Sequence, residues 1–292
     1  MRLAVLDDRI PVVVTDDEMY DVLDVLGVPA GGSGGPWASW LDAGNGLDQL
    51  RDLDLASSPR HRRDDARLTA PLSRPGKIVA APVNYLDHKV EMSEQKTIAE
   101  YGVFLKAPGS VIGPGQDVEL PYTDQRTDQE GELAVVIGRR ARHVTADDAL
   151  GHVFAYTCGL DITVRSTEDR STRKSFDTFA PLGPWLVTAD EVGDPGDLDL
   201  RCWVSEELRQ STSTSDLIYS VPELIAYASS VMTLEPGDVI LTGTPAGVGP
   251  IHDGDRVRLE IERIGALEVG VTAEHAVPYR SRPQGRVGSL AG

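Results

Sequence analysis

From residue 77 onward the chain breaks into many short runs in which apolar and polar residues alternate, with Gly and Pro between them. Val257, Leu259 and Ile261, for example, alternate with Arg258, Glu260 and Glu262, the two-residue period of a strand with one buried face. Tight turns are marked at Gly113-Pro114-Gly115, Pro236-Gly237 and Asp253-Gly254, where these residue types supply the required backbone angles. No regular alternation of strands with helices accompanies them. The pattern therefore points to an α+β, mainly β protein of closed or sandwiched architecture rather than a doubly wound sheet. Three helices are expected here: a short one around Asn84 to Met92, one beginning at Thr145 with Asp148 three residues on, and one from Pro222. In the last, Leu224, Ile225, Ala228 and Met232 share a face.

The first 70 residues read differently. Residues 3 to 14 form one or two short strands, and Thr15-Asp16-Asp17-Glu18 has the form of a capping box. It predicts a helix with Met19, Val22, Leu23 and Leu26 on its apolar face and Gly27 as its stop. Gly31-Gly32-Ser33-Gly34-Gly35-Pro36 reads as a flexible loop, and the charged stretch Ser57 to Ala66 as an interdomain segment. These features divide the chain into a small N-terminal α/β domain over 1–70, a larger domain over 71–278, and a tail over 279–292 without a core face.

Charge and composition exclude several classes of function. The 292 residues carry 46 Asp and Glu against 28 Lys and Arg, a formal charge of −18, so nucleic acid and anionic membrane surfaces are not expected partners. No apolar run approaches the roughly 20 residues of a spanning helix. The opening MRLAVLDDRI places acidic residues where a signal peptide would be apolar. A cytoplasmic location is expected, with Cys158 and Cys202 as reduced, buried thiols.

Three groups of residues carry chemistry. Glu130 and Glu132 flank Gly131 just before the strand-like run Leu133 to Ile137, and residues two apart on a strand project to one side. Their carboxylates raise each other's proton affinity unless a cation lies between them, and Gly131 leaves room for backbone or ligand. A solvated strand edge is the plain alternative. Asp161 lies mid-strand in the alternating run Tyr156 to Val164, where it pairs with Arg165 or joins the two glutamates as a hard oxygen site suited to Mg²⁺ or Mn²⁺. Second, His88 and Glu91 are three residues apart, so on a helix the carboxylate orients the imidazole as a general base. Third, the loop from Leu241 to Gly249 offers closely spaced amides and two hydroxyls, a cradle for a carboxylate or phosphate. It lacks both a nucleotide P-loop ending and a dinucleotide fingerprint.

Seven segments in this order resemble the fumarylacetoacetate hydrolase family, in its shorter bacterial acylpyruvate-hydrolase-like branch. They are NYxxHxxE at Asn84 to Glu91, FLK at Phe104 to Lys106, EGEL at Glu130 to Leu133 and GLDITVR at Gly159 to Arg165. KSFDTFAPLGP at Lys174 to Pro184, Arg209-Gln210, and LEPGDVILTGTPAGVG at Leu234 to Gly249 complete the set. The resemblance implies a mixed β-roll catalytic domain behind a small N-terminal domain, a homodimer, and a divalent ion, usually Mg²⁺, on Glu130, Glu132 and Asp161. It implies hydrolysis of a carbon–carbon bond in an acylpyruvate-type β-diketo acid through a metal-stabilised enolate. Decarboxylation, isomerisation or hydration of a 2-oxo acid on the same site is the alternative reading, and an idle metabolite-binding protein a third. His88, oriented by Glu91, would activate water, and Lys174 would stabilise or protonate the enolate. Tyr85, Lys106, Arg165, Gln210, Gly243 and Thr244 would contact substrate, with a structural salt bridge as the other role for Lys106. The chain departs from the family pattern at Ala81-Pro82-Val83, where a Gly is usual, and at Ser205-Glu206-Glu207. It also departs in the charged stretch Ser166 to Arg173, which lacks the usual Trp and Gln.

Overall fold

The computed structural model describes residues 1–16, 18–28, 34–62 and 66–283. Its strands form sheets of twelve, five and three members, an α+β and mainly β architecture. The large sheet is built around Gly131–Ile137, which pairs antiparallel with Val153–Leu160 on one side and with Val239–Leu241 on the other. Leu133, Val135 and Ile137 enter one hydrophobic core, and Ala134 and Val136 enter the second on the opposite face. A strand covered on both faces has no place for polar alternation, which is why this run is continuously apolar.

The two faces are covered by different elements. On one lies the five-stranded sheet, contributing Cys202, Leu259 and Leu267, with Ile225 and Ala228 of the helix Val221–Val231. On the other lies the helix Pro36–Asp42, whose Trp37 and Trp40 rings meet edge to face at 6.0 Å. Ser220 and Glu223 form the capping box that starts the Val221–Val231 helix, and Thr145 caps Ala146–Ala149 through the Asp148 amide.

The N-terminal strands belong to the same large sheet. Arg2–Leu6 pairs with Ala180–Thr188, and Ile10–Val14 and Glu18–Asp21 extend outward from it. The helix expected after Thr15 is therefore a strand from Glu18 to Asp21, and only Leu23–Leu26 is helical, closed by Gly27 at φ 63°. Thr15 accepts from the Glu18 amide and closes a hairpin turn instead of capping a helix. Asp17 lies outside the described residues. Within the stretch read as an interdomain segment, Arg60–Arg62 pairs with Glu18–Asp21 as the edge strand; residues 63–65 lie outside the described residues. Of the glycine-rich loop, 31–33 lie outside the described residues, as do 29 and 30 before it, and Pro36 already opens a helix. The stretch from Tyr279 docks at its start, the Tyr279 ring lying against Tyr122 at 5.0 Å, and 284–292 lie outside the described residues.

Cys158 and Cys202 are free and fully buried in the core beneath the five-stranded sheet. Burial pushes the Cys158 thiol well above its ordinary range and the Cys202 thiol up to about 12, and a thiol that does not ionise is a poor nucleophile. A chromogenic disulfide reagent at pH 8 should find no thiol in the native protein and two after denaturation in guanidinium; rapid reaction of the native protein would contradict this packing.

Candidate metal centre and active site

Strand direction gathers the chemistry at one edge of the large sheet. Gly131–Ile137 starts there, and because its neighbours run antiparallel, Val153–Leu160 and Val239–Leu241 both end there. Ile78–Ala80 is parallel to Val239–Leu241, so its continuation into Asn84-Tyr85 and the helix Leu86–Glu91 reaches the same edge. Segments far apart in sequence thus meet by register alone.

At this edge the carboxylates of Glu130, Glu132 and Asp161 are all buried, with one oxygen of each within 4.8 Å of the others. Asp161 follows the end of Val153–Leu160 rather than sitting mid-strand. It does not pair with Arg165, which reaches Asp128 at 2.6 Å and Glu130 at 2.8 Å instead. Lys174 places its ammonium between two of the three carboxylates, donating to Glu130 Oε2 at 2.7 Å, Asp161 Oδ2 at 2.6 Å and Thr163 Oγ1 at 2.7 Å. Lys106 Nζ holds the other Asp161 oxygen at 2.5 Å and also donates to the Lys174 carbonyl.

The charges are unevenly matched. Burial alone would raise the Glu130 carboxyl, but Lys174 and Arg165 outweigh it and hold the group well below the usual carboxylate range. Glu132 has no ion pair among the described residues; burial and the charges of Asp161 and Glu130 push its carboxyl well above the usual range. Among the described residues its Oε2 accepts only the Gly243 amide, at 2.6 Å. Three hard oxygen donors with one carboxylate lacking a counter-charge fit a divalent cation of the Mg²⁺ or Mn²⁺ type, and no sulfur or imidazole competes within the set.

The glycine loop proves to be a brace. Besides Gly243 on Glu132, the Gly247 amide donates to Glu91 Oε1 at 2.9 Å. Glu91 Oε2 in turn lies 3.0 Å from His88 Nδ1, so the imidazole is held through a carboxylate that is itself held. Gly247 has φ +96°, and a Cβ there would fall 1.9 Å from the Arg209 carbonyl oxygen, so only glycine fits. Thr244 Oγ1 donates to the Gly131 carbonyl and accepts from Gln210 Nε2, while Gln210 Oε1 accepts the Gly131 amide. The space beside Gly131 is therefore filled by Gln210, Cys202 and Leu259 rather than by a ligand.

A cavity of about 330 Å³ opens over these groups. Of the residues expected at the site, His88, Glu130, Glu132, Asp161, Arg165, Lys174 and Thr244 line it. Glu91, Lys106, Gln210, Gly243 and Tyr85 stand behind that wall. Tyr85 is fully buried, and its Oη has no hydrogen-bond partner among the described residues. Val83 lines the cavity with φ +50°, an outlier for a β-branched residue, at the point where the chain departs from the family pattern.

Several supporting residues were not singled out from sequence. Asp128, fully buried, gathers Arg126 and Arg165; the spacing Asp128, Glu130, Glu132 carries the signal. Asn84 staples the segment before His88 to the glycine loop, donating to the Thr242 and Tyr219 carbonyls. Thr163 takes the third proton of Lys174. Arg170, Arg173, Glu94 and Phe104 complete the cavity wall.

Comparison with known proteins gives a consistent placement. Residues 77–272 match the family model described as fumarylacetoacetate (FAA) hydrolase, C-terminal. A maleylpyruvate hydrolase of Aquipseudomonas alcaligenes is 44% identical over 276 residues, 89% of this chain and 95% of that protein. A mitochondrial oxaloacetate tautomerase of Homo sapiens is 40% identical over 234 residues, 76% of this chain and 74% of that one. The crystal structure of a maleylpyruvate hydrolase from Sphingobium sp. SYK-6 in complex with manganese(II) and pyruvate superposes with a TM-score of 0.84 at 38% identity. That match covers 94% of this chain and 99% of that one.

Removing one partner of a buried ion pair costs up to about 3–5 kcal/mol, and Lys106 is one of two ammonium groups on Asp161, Lys174 being the other. Lys106→Met should lower unfolding stability by part of that amount, about 1–3 kcal/mol, in urea titrations, because Asp161 loses one of its two ammonium partners. A change below about 1 kcal/mol would mean that Lys106 does not support Asp161.

Proposed function

The chain belongs to the fumarylacetoacetate hydrolase family, and from that premise we propose that it is a divalent-metal-dependent hydrolase of acylpyruvate-type β-diketo acids. The observation that carries this is the His88–Glu91 dyad at 3.0 Å, with His88 in the wall of the same cavity as the three carboxylates. Decarboxylation of a 2-oxo acid needs no base to activate water, whereas hydrolysis does.

Glu130, Glu132 and Asp161 would hold the cation, Mg²⁺ or Mn²⁺, which when bound would supply Lewis acidity to a 2-oxo acid. His88 uses Nε2 to take a proton from water, since Nδ1 is committed to Glu91. The water oxygen bonds to the distal carbonyl carbon, and the bond from that carbon to the methylene breaks. The electron pair passes to the methylene, which gains a proton and leaves as pyruvate; the acyl half leaves as a carboxylate. Lys174 stabilises or protonates the developing enolate, and Arg165 and Thr244 face the substrate. Lys106, Gln210, Gly243 and Tyr85 act from behind, by holding Asp161, the Gly131 backbone and Glu132 and by walling the site.

We further assign the protein to the cytoplasm as a homodimer. Two unbridged buried thiols suit a reducing compartment, and among the described residues no helix is long and apolar enough to cross a membrane. The family resemblance supports the dimer. A keto–enol isomerase acting on oxaloacetate-type acids is the second reading, favoured by the 40% identity to the human tautomerase.

With acetylpyruvate as substrate, Glu130→Ala should lose bound metal and turnover together, whereas His88→Ala should keep the metal and lose at least a hundredfold in kcat. Metal content by atomic emission and product analysis by mass spectrometry read the two effects. Cleavage persisting after chelation, or in His88→Ala, would contradict the reading; enolisation without cleavage would support the isomerase.

A further inference from the structure

Backbone strain meets the cavity at one residue. Among the described residues eight non-glycine residues have positive φ, and of these only Val83 lines the cavity. It is also β-branched, so its φ of +50° costs it more than the same conformation costs an Asp, Ser or His.

Strain of this kind persists only where the neighbouring structure over-determines it. Here both flanks are pinned. The Ala81 amide donates to the Leu241 carbonyl at 3.0 Å, and the Ile218 amide donates to the Asn84 carbonyl at 2.8 Å. The Asn84 side chain donates to the Thr242 and Tyr219 carbonyls and accepts from the Tyr219 amide at 2.8 Å. The glycine loop lies so close that a Cβ on Gly243 would fall 2.7 Å from Asn84 Cβ. Between the two anchors, Pro82 has its own φ fixed by its ring. Val83 is thus the second residue of a bend opened by proline, where positive φ ordinarily calls for glycine. The chain carries an isopropyl group there instead.

The make-up of the wall decides what that group can touch. Five lining residues are apolar, Ala81, Pro82, Val83, Met92 and Phe104, and the others carry charge or a polar group. The 2-oxo acid end of a substrate belongs with the polar groups and its hydrocarbon arm with the apolar five. Phe104 has its ring 5.3 Å from the Lys174 ammonium, and Met92 is a flexible, exposed side chain at a helix end. Val83 alone among the five combines branching at Cβ and a stiff χ1 with a backbone held on both sides. It therefore has little freedom to move aside for a larger group.

We propose that Val83 is a specificity-determining residue that limits the bulk of the acyl arm, admitting small or straight acyl groups and excluding arms branched next to the distal carbonyl. This rests on the acylpyruvate reading above and adds a steric limit to it. The polar groups of the site hold the substrate, and Val83 decides which arm fits beside them.

The test uses the metal-loaded full-length protein as wild type, Val83→Gly and Val83→Ala. It compares kcat/KM for acetylpyruvate, whose arm is a methyl group, with that for pivaloylpyruvate, whose arm is a tert-butyl group. Val83→Gly should raise the pivaloyl-to-acetyl ratio by about tenfold or more, and Val83→Ala should raise it less. Urea unfolding of the same variants reads the strain. Val83→Gly should unfold at a higher midpoint than Val83→Ala, because alanine keeps the Cβ that positive φ disfavours; the reverse order would overturn the strained placement and the proposal with it. An unchanged ratio in both variants, or an equal loss on both substrates, would overturn the assignment while leaving the hydrolase reading intact. Failure of the wild type to cleave either substrate would instead overturn the hydrolase reading and this assignment with it.

Discussion

Burying three carboxylates within 4.8 Å of one another is possible only if positive charge is brought among them. Much of the surrounding structure serves that requirement. Lys174 and Lys106 reach the cluster from segments 68 residues apart, and Arg165 spans from Glu130 to Asp128. Even so, Glu132 is left with a single amide donor among the described residues and a strongly raised carboxyl. That residual imbalance is what a divalent ion would relieve.

The sheet supplies position and the glycine loop supplies orientation. Strands that start and end at one edge bring the acidic pair, Asp161 and the His88 segment together. Their strands are covered on both faces by apolar layers, so their ends have little freedom. The loop then fixes side chains through backbone amides, Gly243 on Glu132 and Gly247 on Glu91. It binds the protein's own carboxylates where the sequence suggested a cradle for a ligand. An imidazole held by a carboxylate that is itself held by an amide is ordered in advance.

The chemistry was more legible in the sequence than the support around it. The acidic pair, the HxxE spacing and the glycine loop are contiguous motifs, and Val257–Leu259–Ile261 points inward as its period predicts. The misread elements are those whose state depends on distant partners. Glu18–Asp21 has a helix-like opening but pairs on both sides with strands, and this tertiary pairing overrides the local signal. Arg60–Arg62 resembles a linker because it is a charged edge strand, and edge strands carry charge to block further pairing. Gln210 and Lys106 are polar residues in a site-bearing chain, yet they face the Gly131 backbone and Asp161 from behind. No local pattern distinguishes the front of a pocket wall from its back.

The central claim is that water activated at His88 adds to the distal carbonyl of a substrate engaged at the metal centre. Turnover of acetylpyruvate in ¹⁸O-labelled water, followed by mass spectrometry of the released acetate, tests it most directly. The account predicts one ¹⁸O atom in each acetate carboxylate, formed only when a divalent ion is present. Acetate released without label, or released equally in the presence of chelator, would contradict it.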